Sequence, residues 1–350
     1  MKTRIIQNIS MLFISLFLFW ALGEIAARAI RINDKLLGYD HKIFQKDKNV
    51  LLRYGFRPNH KGAVAESIFK INSYGFRDFE YKKEKTPGVY RIAVLGDSVT
   101  AGMGVKLIDS YPKVLERVLN EGTSSYEVLN FGINGYNLAQ EAELFKRKVL
   151  EFKPDMVIVG YNLNDVRSAY GINRSGYLEK IEDYSDYAFP WSVILPVEKF
   201  LVKKSHFIGF IKRKITNFLK SIKVDSNFLS FGQAQLELEK IYYVGEKRTL
   251  WKKAEREFES MKNLAEINGI KFIVVVFPFA PQVYEEDEDR EPQRTMNKFF
   301  DESGIVYVDL LDVFKENKDR QLFRPGDYNH PSPGGHNLIA HTLYTRIYKQ

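Results

Sequence analysis

"RIAVLGDSVTAG", residues 91–102, is the stretch whose reading decides the fold. A short apolar strand runs straight into Gly96, Asp97 and Ser98, where most strands would simply turn away. Ser98 then has two readings: a nucleophile exposed at the carboxyl edge of a sheet, or a residue that, with Asp97, caps the next helix. A phosphate-cradling loop fails on spacing. "GDSVTAGMGVKL" lacks the Lys and Ser/Thr that follow the second Gly of a P-loop, and the third Gly of a dinucleotide fingerprint.

Downstream of this stretch, short apolar runs alternate with helical ones, the signature of a parallel sheet wrapped by helices. The expected strands are "RIAVLG", "YEVLNFG", "DMVIVGY", "IKFIVVVFP" and "IVYVDL". Between them, "YPKVLERVLNEG", "NLAQEAELFKRKVLEF", "LWKKAEREFESMKNLAEINGI" and "PQRTMNKFFDES" space their apolar residues three and four apart, and a last helix follows "HPSPGGH". Five strands with crossover helices predict an α/β fold, a three-layer α/β/α sandwich over residues 91–350. In such sheets ligands bind outside the carboxyl ends of the strands. An insertion at 166–249 separates the third strand from the fourth. Within it, residues 206–223 put Phe207, Ile211, Ile215, Phe218 and Ile222 on one helical stripe, with Lys212, Arg213, Lys214, Lys220 and Lys223 mostly elsewhere. That segment reads either as a cap helix packed over the domain or as a second contact with lipid or an anionic glycan. "EEDEDRE", residues 285–291, reads as a solvated loop.

Upstream, residues 36–90 read as a linker with an ordered extension, in which "AVAESIFKINSYGFRDFEY" contains a hairpin. Residues 1–35 hold Lys2 and Arg4, an apolar stretch from Ile5 to Gly23, and then Glu24, Arg28 and Arg31. The stretch is close to the span of a bilayer. "ALG" before Glu24 suits a signal-peptide cleavage, whereas the unbroken pattern through "EIAARAI" favours an uncleaved transmembrane anchor. The short end carrying Lys2 and Arg4 is expected to be the cytoplasmic one, with the bulk of the protein extracytoplasmic, in the periplasm or at the cell surface.

The chain of 350 residues is 45% apolar, too much for a disordered scaffold. Its net charge of +8 is spread along the sequence, so nucleic acid is not an expected partner. The absence of cysteine excludes disulfides, thiolate metal sites and cysteine nucleophiles.

A serine hydroxyl needs a base, and a histidine held by a carboxylate is the usual one. In "DYNHPSPGGHNL" Asp327 stands three residues before His330, so one loop can deliver both; His336 is a competing base. A metal site on Asp327, His330 and His336 is disfavoured, for no further Asp, Glu or His cluster matches it, and no cofactor is expected. Acyl transfer also needs donors for an oxyanion. Gly132 and Gly135 of "NFGINGYN" and Asn164 of "YNLND" offer them at the next two strand ends, although each alone is ordinary turn chemistry.

The blocks "GDSVTAG", "NFGINGYN", "YNLND" and "DYNHPS", in this order, resemble the SGNH (GDSL) hydrolase superfamily over roughly residues 91–350. The resemblance implies a flavodoxin-like five-stranded sheet. It carries over Ser98 as nucleophile, His330 as base and Asp327 as its partner. The oxyanion hole it implies is the Ser98 N–H, the N–H of Gly135, five residues after Asn130, and the Asn164 side chain. The chain departs from the family's third block, which usually has Gly where Asn162 stands. With the N-terminal segment and "NSYGFRD", the layout is similar to membrane-anchored members, some of which act on cell-surface polysaccharides by removing or transferring acetyl groups. The expected function is therefore a serine esterase acting on an acylated carbohydrate or other ester. The alternatives are an O-acyltransferase with the same triad and a non-catalytic glycan-binding surface protein.

Overall fold

Each of the five runs forms a strand, and all pair in parallel. In the computed structural model they are β5 (Tyr90–Gly96), β6 (Tyr126–Asn130), β7 (Met156–Asn162), β10 (Lys271–Phe277) and β11 (Val306–Asp309), in the order β11-β10-β7-β5-β6. With β5 as the first strand this is the 2-1-3-4-5 order of flavodoxin-like sheets. The structure describes residues 2–29, 40–65, 67–122, 125–167, 170–172, 178–180, 205, 207–208, 211, 233, 236–237, 239–245, 248–285 and 290–348. Most of the 206–223 stripe and of the acidic run at 285–291 lies outside them.

Alternate strand residues serve opposite layers, which is why the runs are continuously apolar. Ile92, Val94, Met156, Ile158 and Val275 join one core with α2 (Tyr111–Leu119) and the last helix, α8 (Pro333–Tyr348). On the other face, α3 (Leu138–Arg147) packs beside α4 (Thr249–Ile267), and Tyr161 of β7 meets Phe258 edge-on. Short helices α5 (Ala280–Tyr284) and α7 (Leu311–Glu316) flank α6 (Glu291–Ser303) in the chain.

The chain divides into two compact units, residues 40–181 with 225–350, and residues 1–39 with 182–224. The first holds the sheet and its extension. In that extension β1 (Phe44–Lys46) pairs with β2 (Tyr54–Phe56), and β3 (Lys61–Val64) with β4 (Ser67–Lys70), so the expected hairpin is present. A further antiparallel pair, β8 (Tyr170–Ile172) with β9 (Leu178–Lys180), opens the insertion. The second unit is built on α1 (Lys2–Ala29), whose window Ser10–Ala27 is 18 residues long with mean hydropathy 1.9. By length and composition this helix suffices to cross a membrane, and a signal sequence would look the same.

"NSYGFRD" is the brace of the sheet edge. Asn72 folds the turn by accepting the N–H groups of Tyr74 (3.1 Å) and Phe76 (3.0 Å). The Arg77 guanidinium, wholly buried, donates to the carbonyls of Ala101 (2.8 Å), Gly102 (2.5 Å) and Val105 (2.7 Å) and lies over the Phe69 ring. Asp78 accepts the Asn130 N–H at 2.7 Å and pairs with Lys113 at 2.9 Å. Two consecutive residues thus fix the turn after β5 and the end of β6.

Candidate active site

Ser98 leaves β5 in a turn, and no α-helix begins until Tyr111. Gly102 and Gly104 adopt φ of 74° and 80°, outside the right-handed helical region, so the first α-helix after "GDS" is the expected run from Tyr111. Asp97 does the local capping, accepting the Val99 N–H on Oδ1 at 2.8 Å. The Ser98 hydroxyl is directed elsewhere. Its Oγ stands 2.9 Å from His330 Nε2 and 3.2 Å from Asp97 Oδ2.

His330 and Asp327 come from the loop between α7 and α8. His330 Nδ1 is 2.9 Å from both carboxylate oxygens of Asp327. A carboxylate on Nδ1 fixes the proton there and leaves Nε2 as the acceptor for Ser98. The loop is held by its own backbone: Asp327 N–H donates to Arg324 O, Arg324 N–H to His330 O, and Ala280 N–H to Tyr328 O at 2.7 Å. Arg324 Nη1 also reaches Asp327 Oδ2 at 3.4 Å.

Burial alone would raise the Asp327 pKa, but the His330 charge and hydrogen bond, with the N–H groups of Asn329 and His330, bring it down to about 2. Burial opposes a charged His330, and the carboxylates of Asp327 and Asp97 outweigh it, so its pKa lies above the ordinary value. A base of this kind is well suited to hold a proton taken from serine.

His336 does not compete. It is buried, its Nδ1 accepts the Tyr111 N–H at 3.2 Å, and it stacks on the Tyr111 ring. Burial, reinforced by the Arg77 charge, pulls its pKa down to about 3. It therefore belongs to the core, its ring turned toward Tyr111.

The candidate oxyanion donors follow the strands on either side of β5. Gly132 is already committed, for its N–H donates to Asn130 Oδ1 at 2.9 Å. Gly135 has φ +77°, and a Cβ there would lie 2.7 Å from the Tyr170 ring. Asn164 lies in the 3-10 turn Leu163–Val166 that ends β7, and its Oδ1 is buried without a hydrogen-bond partner among the described residues. Asn162, at the position where the family usually has Gly, points its side chain into the same turn: Oδ1 accepts the Leu163 N–H at 2.9 Å. Its own N–H donates to Asp165 at 2.7 Å, so the departure is absorbed as a cap.

Sequence reasoning missed a set of buried carboxyl groups near the site. Glu141 is fully buried with neither oxygen hydrogen-bonded among the described residues. Burial, and then the proximity of Asp97, raise its pKa well above the ordinary range. Asp165 is raised in the same way, by burial and by both Asp97 and Glu141. Nothing in the spacing of three acids on three elements signals that they meet; only the topology does. Arg77 and Arg324 were likewise visible as residues without a readable destination.

A serine, a histidine and a carboxylate thus stand in hydrogen-bonded series at the carboxyl edge of a flavodoxin-like sheet, the arrangement serine hydrolases use. Residues 94–196 match the model of the GDSL-like Lipase/Acylhydrolase family. Among solved structures, the chain is similar to a catalytic mutant of Axe2, an acetylxylan esterase from Geobacillus stearothermophilus. The two are 16% identical with a TM-score of 0.44, over 76% of this chain and 97% of the other. It is also similar to a member of the lipolytic protein G-D-S-L family from Veillonella parvula, at 12% identity and a TM-score of 0.42, over 75% of this chain and 100% of that one. No curated protein gives a match.

Proposed function

We propose that Ser98, His330 and Asp327 are the catalytic triad of an esterase that removes O-acyl groups from a cell-surface or exported polysaccharide. The observation that carries the triad is the unbroken series from Ser98 Oγ through both ring nitrogens of His330 to Asp327, with 2.9 Å at each link. His330 Nε2 takes the hydroxyl proton as Oγ attacks the ester carbonyl, and gives it to the sugar oxygen as the C–O ester bond breaks, releasing the sugar hydroxyl. Asp327 keeps the imidazole in the tautomer this requires and stabilises its charged form. The N–H groups of Ser98 and Gly135 and the Asn164 amide hold the tetrahedral oxyanion, where the loss of one donor costs about a hundredfold or more in rate. Water then resolves the acyl-enzyme.

The saccharide substrate rests on the sequence resemblance, and the exported location on the apolar helix α1 with Lys2 and Arg4 ahead of its apolar stretch. In this reading α1 anchors the protein in the membrane, and the sheet unit works outside the cytoplasm.

The test treats the full-length protein in detergent with a fluorophosphonate and reads the adduct by intact mass. One adduct on the native chain and none on Ser98→Ala is expected; no adduct, or equal labelling of both, overturns the nucleophile assignment. Release of acetate from O-acetylated polysaccharide, with and without an added sugar acceptor, then separates hydrolysis from transfer.

A further inference from the structure

The unit built on α1 contains polar contacts that a disposable leader has no use for. Along the apolar window, Leu12, Phe13, Phe17, Leu22 and Ile25 are exposed, as expected of a lipid-facing helix. Glu24 in the same window is only 8% exposed and Ala27 3%, so one side of the helix end is covered. Glu24 is met there by Ser205 and Phe207 of the insertion, which belong to the same compact unit.

Ser205 Oγ is the centre of the contact. It donates to Glu24 Oε2 at 2.7 Å and accepts from Trp20 Nε1 and from the Ile208 N–H, each at 3.1 Å. That uses the one donor and two acceptor sites of a hydroxyl. The Phe207 N–H adds a second bond to Glu24 Oε2 at 2.9 Å. The Phe207 ring lies on Gly23, where a Cβ would come within 2.7 Å of it, and meets Phe19 edge-on with centroids 5.5 Å apart. Gly23 is needed here for close approach.

Energetics explain the arrangement. Glu24 stands three residues inside the end of the apolar window, about 4.5 Å at 1.5 Å per residue. An acidic side chain facing hydrocarbon is costly, and two donors from residues 205–207 offset that cost. The candidate cleavage point after Gly23 lies inside the contact set, so cutting there would put Trp20 and Gly23 on a different fragment from Glu24.

We propose that α1 is retained, and that Trp20, Gly23 and Glu24 lock Ser205 and Phe207 of the insertion onto it at the lipid surface. The proposal rests on the anchor reading of the preceding subsection and specifies what the anchor holds. The partner chemistry is an anionic bilayer, for Lys212, Arg213, Lys214, Lys220 and Lys223 follow the lock in sequence.

The chain has no cysteine, so an introduced pair is its only pair of thiols. Gly23→Cys with Phe207→Cys, and independently Trp20→Cys with Ser205→Cys, are prepared in the full-length protein in phosphatidylethanolamine/phosphatidylglycerol vesicles. Fluorophosphonate labelling checks that each variant is folded. After oxidation, maleimide-reactive thiols are counted by intact mass, with Ile25→Cys/Phe207→Cys as the comparison, Ile25 being 65% exposed. The expected result is a chain that keeps residues 1–23, loses both thiols in at least one of the two lock pairs and keeps both in the Ile25 pair. A full-length chain in which both lock pairs stay free, or in which the Ile25 pair is lost equally, overturns the lock and leaves the anchor standing. A mature chain beginning at Glu24 overturns both.

Discussion

His330 Nδ1 stands equidistant, at 2.9 Å, from the two carboxylate oxygens of Asp327, while its Nε2 faces Ser98. The carboxylate therefore sets both the tautomer and the basicity of the ring. Asp327→Asn keeps the shape and removes the charge that holds the His330 pKa up against burial. Because the reaction needs neutral His330, the acidic limb of kcat/KM against pH lies above pH ~6.5 in the native protein and shifts downward in the variant. The maximal rate falls by roughly 10³- to 10⁴-fold, by analogy with other serine triads. An unshifted limb with p-nitrophenyl acetate would remove Asp327 from the triad.

Gly135→Ala tests the oxyanion loop. The backbone there has φ +77°, and the new methyl would press on the Tyr170 ring. The conformation alone costs about 1–2 kcal/mol for an L-residue, so the loop must shift. We expect kcat to drop at least tenfold with a smaller change in KM, and Tyr170→Ala in the same chain to restore part of it by relieving the contact. Full activity in Gly135→Ala would place the second donor elsewhere.

The five strands were legible because strands buried on both faces are continuous apolar runs, and the pairing of His330 with Asp327 because the two share one loop. What was illegible depends on long-range meetings. Asp97 read as a cap, and it is one, yet its second oxygen also faces the Ser98 hydroxyl. His336 matched His330 in type and neighbourhood, and only the fold shows that it points at Tyr111. Arg77 lay in a segment of weak periodicity, and its partners are carbonyl groups, which carry no side-chain signature in sequence.

Arg77→Met should expose how much the Ser98 turn relies on that brace. The substitution removes the Arg77 donor from all three carbonyls; Gly102 O keeps the Val105 N–H, while Ala101 O and Val105 O are left buried at about 1–3 kcal/mol for each one not rescued by water. We expect a fall in melting temperature and, in the folded fraction, slower fluorophosphonate labelling of Ser98. Arg77→Lys keeps a charge but cannot reach three carbonyls with one ammonium group, and should fall between. Unchanged labelling in a stably folded Arg77→Met protein would show that the turn holds itself.

His336 predicts an acid sensitivity that His336→Gln should reduce. Its folded pKa is about 3 because burial, Arg77 and His330 all disfavour its charged form, whereas the unfolded chain titrates near the ordinary histidine value of ~6.5. The unfolded state thus binds the extra proton between these values, so this residue's contribution to stability is present above pH ~6.5 and is lost as pH falls toward ~3. At pH 5 the loss is about 2 kcal/mol, from ~1.5 pH units below the unfolded value. Asp327, depressed to about 2, contributes its own loss only at more acidic pH. Glu141 and Asp165, raised by burial, act in the opposite sense, since their neutral folded forms become less favourable as pH rises. The two proteins must therefore be compared with each other at each pH. Gln can still accept the Tyr111 N–H, so the variant should fold, with lower stability at pH 7. Urea midpoints at pH 5 and pH 7 should show the gap between native and variant narrowing by about 2 kcal/mol at the lower pH; a constant gap would mean that His336 does not control this titration.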